Sequence, residues 1–165
     1  MWKVIAAISA YDRGIGVGGH LPWHIPLELR LFRQETWGGV LVVGRRTWES
    51  LGRPLPGREV WVLSRQLRAP QPGVRFFSDK AALLQALQSE KRPVFFAGGA
   101  QIYEWALSLP QVTDLLLSWV YVHTKADVFF PPLSETMWRL HAVEFFGFCD
   151  STPGFVWTRY KRISQ

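Results

Sequence analysis

Four unbroken apolar runs, Val4-Ile5-Ala6-Ala7-Ile8, Val40-Leu41-Val42-Val43, Val60-Trp61-Val62-Leu63 and Val94-Phe95-Phe96-Ala97, recur between segments of helical periodicity. A strand with one wet face alternates polar and apolar side chains, so runs without alternation mark strands covered on both faces. Helical patterns follow at 27–35, at 79–88 behind a Ser78 cap, and at 101–107. Strands alternating with helices predict a mainly parallel sheet. The C-terminal third differs. Residues 115–122 read as one more strand, whereas 138–146 and 155–163 alternate and are joined through Asp150, Pro153 and Gly154. That pair predicts an antiparallel hairpin added to the sheet edge. The expected fold class is α/β, a mixed, mainly parallel central sheet with a C-terminal antiparallel hairpin and helices on both faces.

The chain has 165 residues, 48% of them hydrophobic and 19% charged, which suits one domain (1–165) with a proper core and excludes a disordered tail. No apolar stretch approaches the roughly 20 residues of a membrane span, and the N-terminus is too short on apolar residues for a secretory signal. The single cysteine, Cys149, reads as a small hydrophobe and allows no internal disulfide, consistent with a cytoplasmic protein. The net charge of +6 favours anionic partners, yet the basic residues are scattered and the nine tryptophans dispersed. A nucleic-acid-binding basic domain, the alternative reading, would want aromatic and basic residues interleaved on one sheet face. No exposed apolar helix stands out, so a monomer is expected.

One carboxylate is oddly placed. In Leu21-Pro22-Trp23-His24-Ile25-Pro26-Leu27-Glu28-Leu29, Pro26 suits the first helical position, putting Glu28 in the first turn and one turn before Phe32. First-turn acids ordinarily face solvent, but Trp23, Ile25, Leu27, Leu29, Leu31 and Phe32 leave this one few wet faces. An inward acid beside an aromatic can grip a flat, nitrogen-rich ring through paired hydrogen bonds.

Three further segments stand where a strand ends: Gly44-Arg45-Arg46-Thr47, Ser64-Arg65, and Ala97-Gly98-Gly99-Ala100-Gln101-Ile102. Each alone is an ordinary turn. Together they place helix N-termini, glycines and arginines at the carboxyl edge of a parallel sheet, where an extended phosphate-bearing ligand binds. Gly14-Ile15-Gly16-Val17-Gly18-Gly19 matches a dinucleotide-binding glycine pattern only formally, because His20-Leu21-Pro22-Trp23 follows instead of a helix. It reads as a loop able to lie over a ligand. The proline-stiffened Arg53-Pro54-Leu55-Pro56-Gly57-Arg58 offers arginines for carboxylate capture. His20 and His24, split by Pro22 and lacking a cysteine partner, do not make a metal site, and none is expected.

These residues together resemble the dihydrofolate reductase family. The likeness runs through Ile5-Ala6-Ala7, Ile15-Gly16, Leu21-Pro22-Trp23, Pro26, Glu28, Phe32, Gly44-Arg45-Arg46-Thr47-Trp48-Glu49-Ser50, Gly52 to Arg58, Leu63-Ser64-Arg65, Gly98-Gly99, Ile102-Tyr103, Asp127 and Phe130-Pro131. It implies NADPH as cofactor and dihydrofolate as substrate, with a hydride reaching pterin C6 and a proton N5. Glu28, Trp23 and Leu21 would form the catalytic group. Glu28 would hold N3 and the 2-amino group, with Trp23 and Ser118 helping through water. Ile5 and Ala97 would offer carbonyls, Phe32 and Leu51 would sandwich the ring, Leu55 would meet the aminobenzoyl ring, and Arg58 and Arg33 would meet the glutamyl tail. NADPH would lie across Ala7, Ile15, Gly16, Leu21, Gly44, Arg45, Arg46, Thr47, Ser64, Arg65, Ala97, Gly98, Gly99, Ala100, Gln101 and Ile102, with a cis Gly98-Gly99 peptide. Ser118 replaces the family's usual threonine, and Leu21 a frequent methionine. The pyrimidine reductase of riboflavin synthesis, a similar fold, lacks this Leu-Pro-Trp loop and acid-bearing helix.

Overall fold

The computed structural model describes residues 1–16, 21–66, 68–147 and 151–164. Among them, eight strands form one sheet: β1 (Trp2–Ser9), β3 (Val40–Gly44), β4 (Glu59–Leu63), β5 (Val74–Phe77), β6 (Val94–Phe96), β7 (Val112–Val120), β9 (Trp138–Phe146) and β10 (Phe155–Arg162). Their order is β5-β4-β3-β6-β1-β7-β10-β9. The first six are mutually parallel; β10 runs antiparallel to β7, and β9 antiparallel to β10. A small second ladder joins β2 (Gly14–Gly16) to β8 (Val128–Phe129).

The helices are α1 (Pro26–Thr36), α2 (Arg45–Leu51), α3 (Lys80–Gln88) and α4 (Ala100–Ser108). All four strands read from unbroken apolar runs are present, and Val4, Ile8, Val40, Val42, Val60, Val62, Val94 and Phe96 are completely buried. Side chains of this size contribute about 1.5–3 kcal/mol each when removed from water, which fixes which strands are central. The residues alternate between two cores. Val4, Val42, Phe96, Leu115 and Leu117 pack toward α3 and α4 with Leu83, Leu87, Ile102 and Tyr103, whereas Ile5, Leu41, Phe95 and Leu116 pack on the other face with Phe32.

Several details depart from the sequence reading. The α3 cap is Asp79, whose carboxylate accepts from the Ala82 amide at 2.8 Å, not Ser78; the ionised group is the stronger acceptor. Strand β7 spans 112–120 rather than 115–122. Val112 already pairs with Trp2, and the parallel ladder stops where β1 stops, with Ser9 opposite Val120. Strand β5 and the β2–β8 ladder carry no alternation long enough to be read. Leu27 and Leu29 are exposed while Glu28 and Thr36 are the buried residues of α1. Of the apolar neighbours that predicted an inward Glu28, Leu27 and Leu29 are therefore not the ones that turn it.

Candidate active site

Ile25 supplies the turning force. It is buried against Val120 and Phe155, with Trp23, Ala7 and Leu31 packed around them, and this pins the first turn of α1 over β7. Pro26 opens the helix without needing an amide partner. Glu28, two residues on, points inward and is buried, and the buried Ser118 hydroxyl of β7 favours its charged form. Ser118 lies opposite Ala7 of β1 and Trp157 of β10, and is itself buried. Burial pushes the Glu28 carboxyl above the usual range, and the Ser118 hydroxyl only partly opposes this. Trp23 Nε1 is buried with no partner among the described residues. A buried acid, a buried hydroxyl and an unpartnered indole N–H thus belong to the region where α1 and the segment before it cover β7.

The neighbouring wall is fixed by Tyr103. Its hydroxyl donates 3.0 Å to the Ile5 carbonyl. Burial raises the phenol well above its ordinary value and the Glu28 charge adds to that, so the group is a permanent donor. Tyr103 joins the residues that sequence reasoning assigned no role, although Ile102-Tyr103 directly follows the glycine pair. Ile5 packs with Phe32, Leu55 and Ala97, whereas Leu51 sits with Val43, Trp48, Val60 and Val62. Leu55 and Ala97 touch both groups and join them.

Parallel register then brings the strand ends together. Gly44 lies opposite Leu63, and Val42 opposite Phe96, so Gly44, Ser64 and Ala97 leave the sheet at one edge. The Gly44 amide donates 2.8 Å to the Gly98 carbonyl, and the Gly98-Gly99 peptide is cis. A side chain at Gly98 would stand 3.4 Å from Tyr103 Oη and 3.5 Å from Thr47 Oγ1, and one at Gly99 3.8 Å from Thr47 Oγ1. The N-caps of α2 and α4, Gly44 and Gly99, have no side chain to cap an amide, so among the described residues neither helix opening is capped by its own N-cap side chain. Gly52, left-handed at φ 71°, closes α2 and lets Trp48 anchor it in the core.

The remaining residues divide. Arg46, Arg65 and Gln101 are exposed, Ala100 and Thr47 half-buried, and Ile102 is a core residue. Arg45 is paired at 3.0 Å with Glu49, which also holds Arg68. The Ser64 hydroxyl is used internally, donating to the Gln66 carbonyl and accepting from the Gln66 amide. Arg58 reaches the Pro56 carbonyl at 3.1 Å and Thr36 Oγ1 at 3.4 Å, while Arg33 is exposed. Ile15 packs on the core, and the Gly16 carbonyl accepts from the Asp127 amide at 3.0 Å. Leu21 is exposed. The loop glycines Gly18 and Gly19, like Cys149 and Asp150, lie outside the described residues.

Comparison with known proteins matches this architecture. The sequence profile of the family described as Dihydrofolate reductase covers residues 1–156. The dihydrofolate reductase type A13 of Escherichia coli is 39% identical over 141 residues, 86% of this chain and 84% of that protein. The dihydrofolate reductase of Neisseria gonorrhoeae is 39% identical over 136 residues, 82% of each chain. A solved dihydrofolate reductase from Enterococcus faecalis, complexed with NADP(H) and RAB-propyl, superposes with a TM-score of 0.89 at 27% identity, covering 99% of this chain and 97% of that one. With a profile spanning nearly its whole length and relatives approaching two-fifths identity, the chain belongs to the dihydrofolate reductase family.

Proposed function

We propose that the slot around Glu28 reduces 7,8-dihydrofolate to 5,6,7,8-tetrahydrofolate with NADPH, supplying tetrahydrofolate for one-carbon metabolism. One observation carries this reading: a carboxylate buried with the Ser118 hydroxyl, its pKa raised by that burial, beside the edge where three parallel strands end. The build of that edge fits a dinucleotide. Gly98 adopts φ 118°, a conformation natural to glycine, and without side chains the Gly98-Gly99 pair leaves backbone open for close approach. Two uncapped helix openings and the exposed Arg46 and Arg65 suit phosphates, including the 2′-phosphate that separates NADPH from NADH. Arg45 reaches that region with its charge shared by Glu49.

Bound NADPH supplies a hydride to pterin C6, and a proton at N5 completes tetrahydrofolate, leaving NADP⁺. The protein's own share is alignment and electrostatics. Glu28 takes the N3 and 2-amino edge, which fixes the ring and, as an anion, favours the protonated pterin. Solvent delivers the N5 proton, since a carboxylate on the far edge of the ring does not reach it. Trp23 and Ser118 complete the polar rim through water, Ile5 and Ala97 turn carbonyls to the slot, and Phe32 and Leu51 flank the ring. Leu55 meets the aminobenzoyl group, and Arg58 with Arg33 meets the tail carboxylates. Ala7, Ile15, Gly16, Leu21, Gly44, Thr47, Ser64, Ala100, Gln101 and Ile102 line the cofactor's path.

One chain (1–165) holds every element of the slot, and the enzyme works in the cytoplasm on small molecules without nucleic acid. Trp2, Trp48, Trp61 and Trp138 are buried, which removes them as stacking platforms. Among the described residues no helix is long and apolar enough to cross a membrane. The test follows the NADPH absorbance band after dihydrofolate is added, with NADH in parallel. Consumption with NADPH and much slower consumption with NADH is expected; no dihydrofolate-dependent loss of NADPH overturns the assignment.

A further inference from the structure

Trp37 is a large apolar side chain left 54% exposed at the end of α1, outside both faces of the core. Its ring is nonetheless held in place. It lies flat on the backbone of Gly57, where a Cβ would stand 2.4 Å from Cη2 and 2.5 Å from Cζ2 and Cζ3. Gly57 adopts φ 73°, a conformation natural to glycine, and the Gly38 amide donates 2.7 Å to the Gly57 carbonyl. That bond ties the end of α1 to the proline loop carrying Arg58.

Two guanidinium groups rest on this one indole. Arg33, a helical turn earlier, stands 5.1 Å from the ring centroid, and Arg58 stands 6.0 Å from it. Among the described residues neither is paired with a carboxylate, and the nearby Glu35 is taken by Lys3 at 3.6 Å. Two like charges this close repel, and the negative face of the indole offsets part of that cost. An unneutralised cation pair on a rigid aromatic platform is a receptor for two carboxylates on one ligand.

We infer that Trp37 is a positioning residue for the substrate's dicarboxylate tail, setting the guanidinium groups of Arg33 and Arg58 together on its ring. The inference rests on the proposed dihydrofolate reduction and adds to it the residue that organises tail capture. Trp37 acts only through these arginines. It therefore affects substrates that carry the tail and not the chemistry at the ring.

The test compares the unaltered protein with Trp37→Leu and Trp37→Phe, using dihydrofolate and a dihydropterin lacking the aminobenzoylglutamate tail. Trp37→Leu is expected to raise KM for dihydrofolate about fivefold with kcat preserved. It should leave both constants for the tailless substrate unchanged, and Trp37→Phe should recover most of the loss. Equal changes for the two substrates would mean a merely structural role and overturn the inference, as would an unchanged KM for dihydrofolate. Reduction of neither substrate by the unaltered protein would overturn the proposed function itself, and this inference with it.

Discussion

The hydroxyl of Tyr103 donates to the carbonyl of Ile5 at 3.0 Å, tying α4 to the central strand beside the buried acid. The two residues are 98 positions apart in sequence, and the bond is fully buried. Removing the donor leaves a carbonyl without its partner in a dry place. Tyr103→Phe should therefore cost about 1–3 kcal/mol of stability. Chemical denaturation reads this directly, with an unchanged denaturant slope showing that the native state stays compact. The same variant should raise KM for NADPH, because Tyr103 also borders Gly98.

Glu28 makes a prediction of opposite sign. Burial raises its pKa in the folded protein. Between the unfolded and folded values the native state holds a proton that the unfolded chain has released, so stability falls as pH rises through that window. Above it the penalty for burying the charge is complete. Glu28→Gln should therefore be more stable than the unaltered protein at neutral pH, with the two converging below about pH 4. The variant should bind NADPH normally and lose turnover on the order of a hundredfold or more. A stabilised, inactive protein is the expected pair of readouts, measured by thermal melts across pH and by steady-state rates.

How much of this was legible in the sequence depends on the range of the force involved. The strands at 4–8, 40–43, 60–63 and 94–97 were readable because full burial leaves an unbroken apolar run. Strand β5 was not. It is four residues long and carries Arg75, whose guanidinium stacks 4.6 Å from Trp61 and 5.0 Å from Phe77 instead of breaking the strand. The inward direction of Glu28 was read correctly for an incomplete reason. Leu27 and Leu29 face out, and it is Ile25, pinned to Val120 and Phe155 from distant strands, that sets the helix rotation. The Tyr103–Ile5 bond and the Trp37 platform were invisible for the same cause, since each depends on a backbone atom contributed from elsewhere in the chain.

At the phosphate edge, Arg65 is exposed, whereas Arg45 shares its charge with Glu49 and Ser64 is engaged by Gln66. Arg65 is thus the freer cation for a 2′-phosphate. Arg65→Leu should raise KM for NADPH about tenfold, the scale of one charge-assisted contact, while KM for NADH moves little. Paired kinetics with the two dinucleotides measure the shift in preference. The loss should shrink as salt rises, because an exposed charge contact is screened.

The sheet also carries a half-buried ion pair, four residues before Ser118 along β7. Asp114 of β7 accepts from Arg159 Nε at 2.7 Å and from Thr113 Oγ1 at 2.7 Å, with Lys3 opposite it in the β1 ladder. Burial alone would raise this carboxyl, but the Thr113 hydroxyl, Arg159 and Lys3 outweigh it and hold the group below its ordinary value. A folded pKa below the unfolded one means that stability is present above the unfolded value and is lost as pH falls through the folded value. Asp114→Asn keeps the size and removes the charge, stranding Arg159 beside Lys3. Arg159 is 30% exposed, so solvent screens part of the interaction and the cost at neutral pH should be about 2 kcal/mol. The gap between the two proteins should stay constant from neutral pH down to about pH 5, then close as the carboxyl takes up its proton. Because neither residue has a part in the Glu28 slot, turnover with dihydrofolate should be unchanged below the melting range, which separates this stability effect from catalysis.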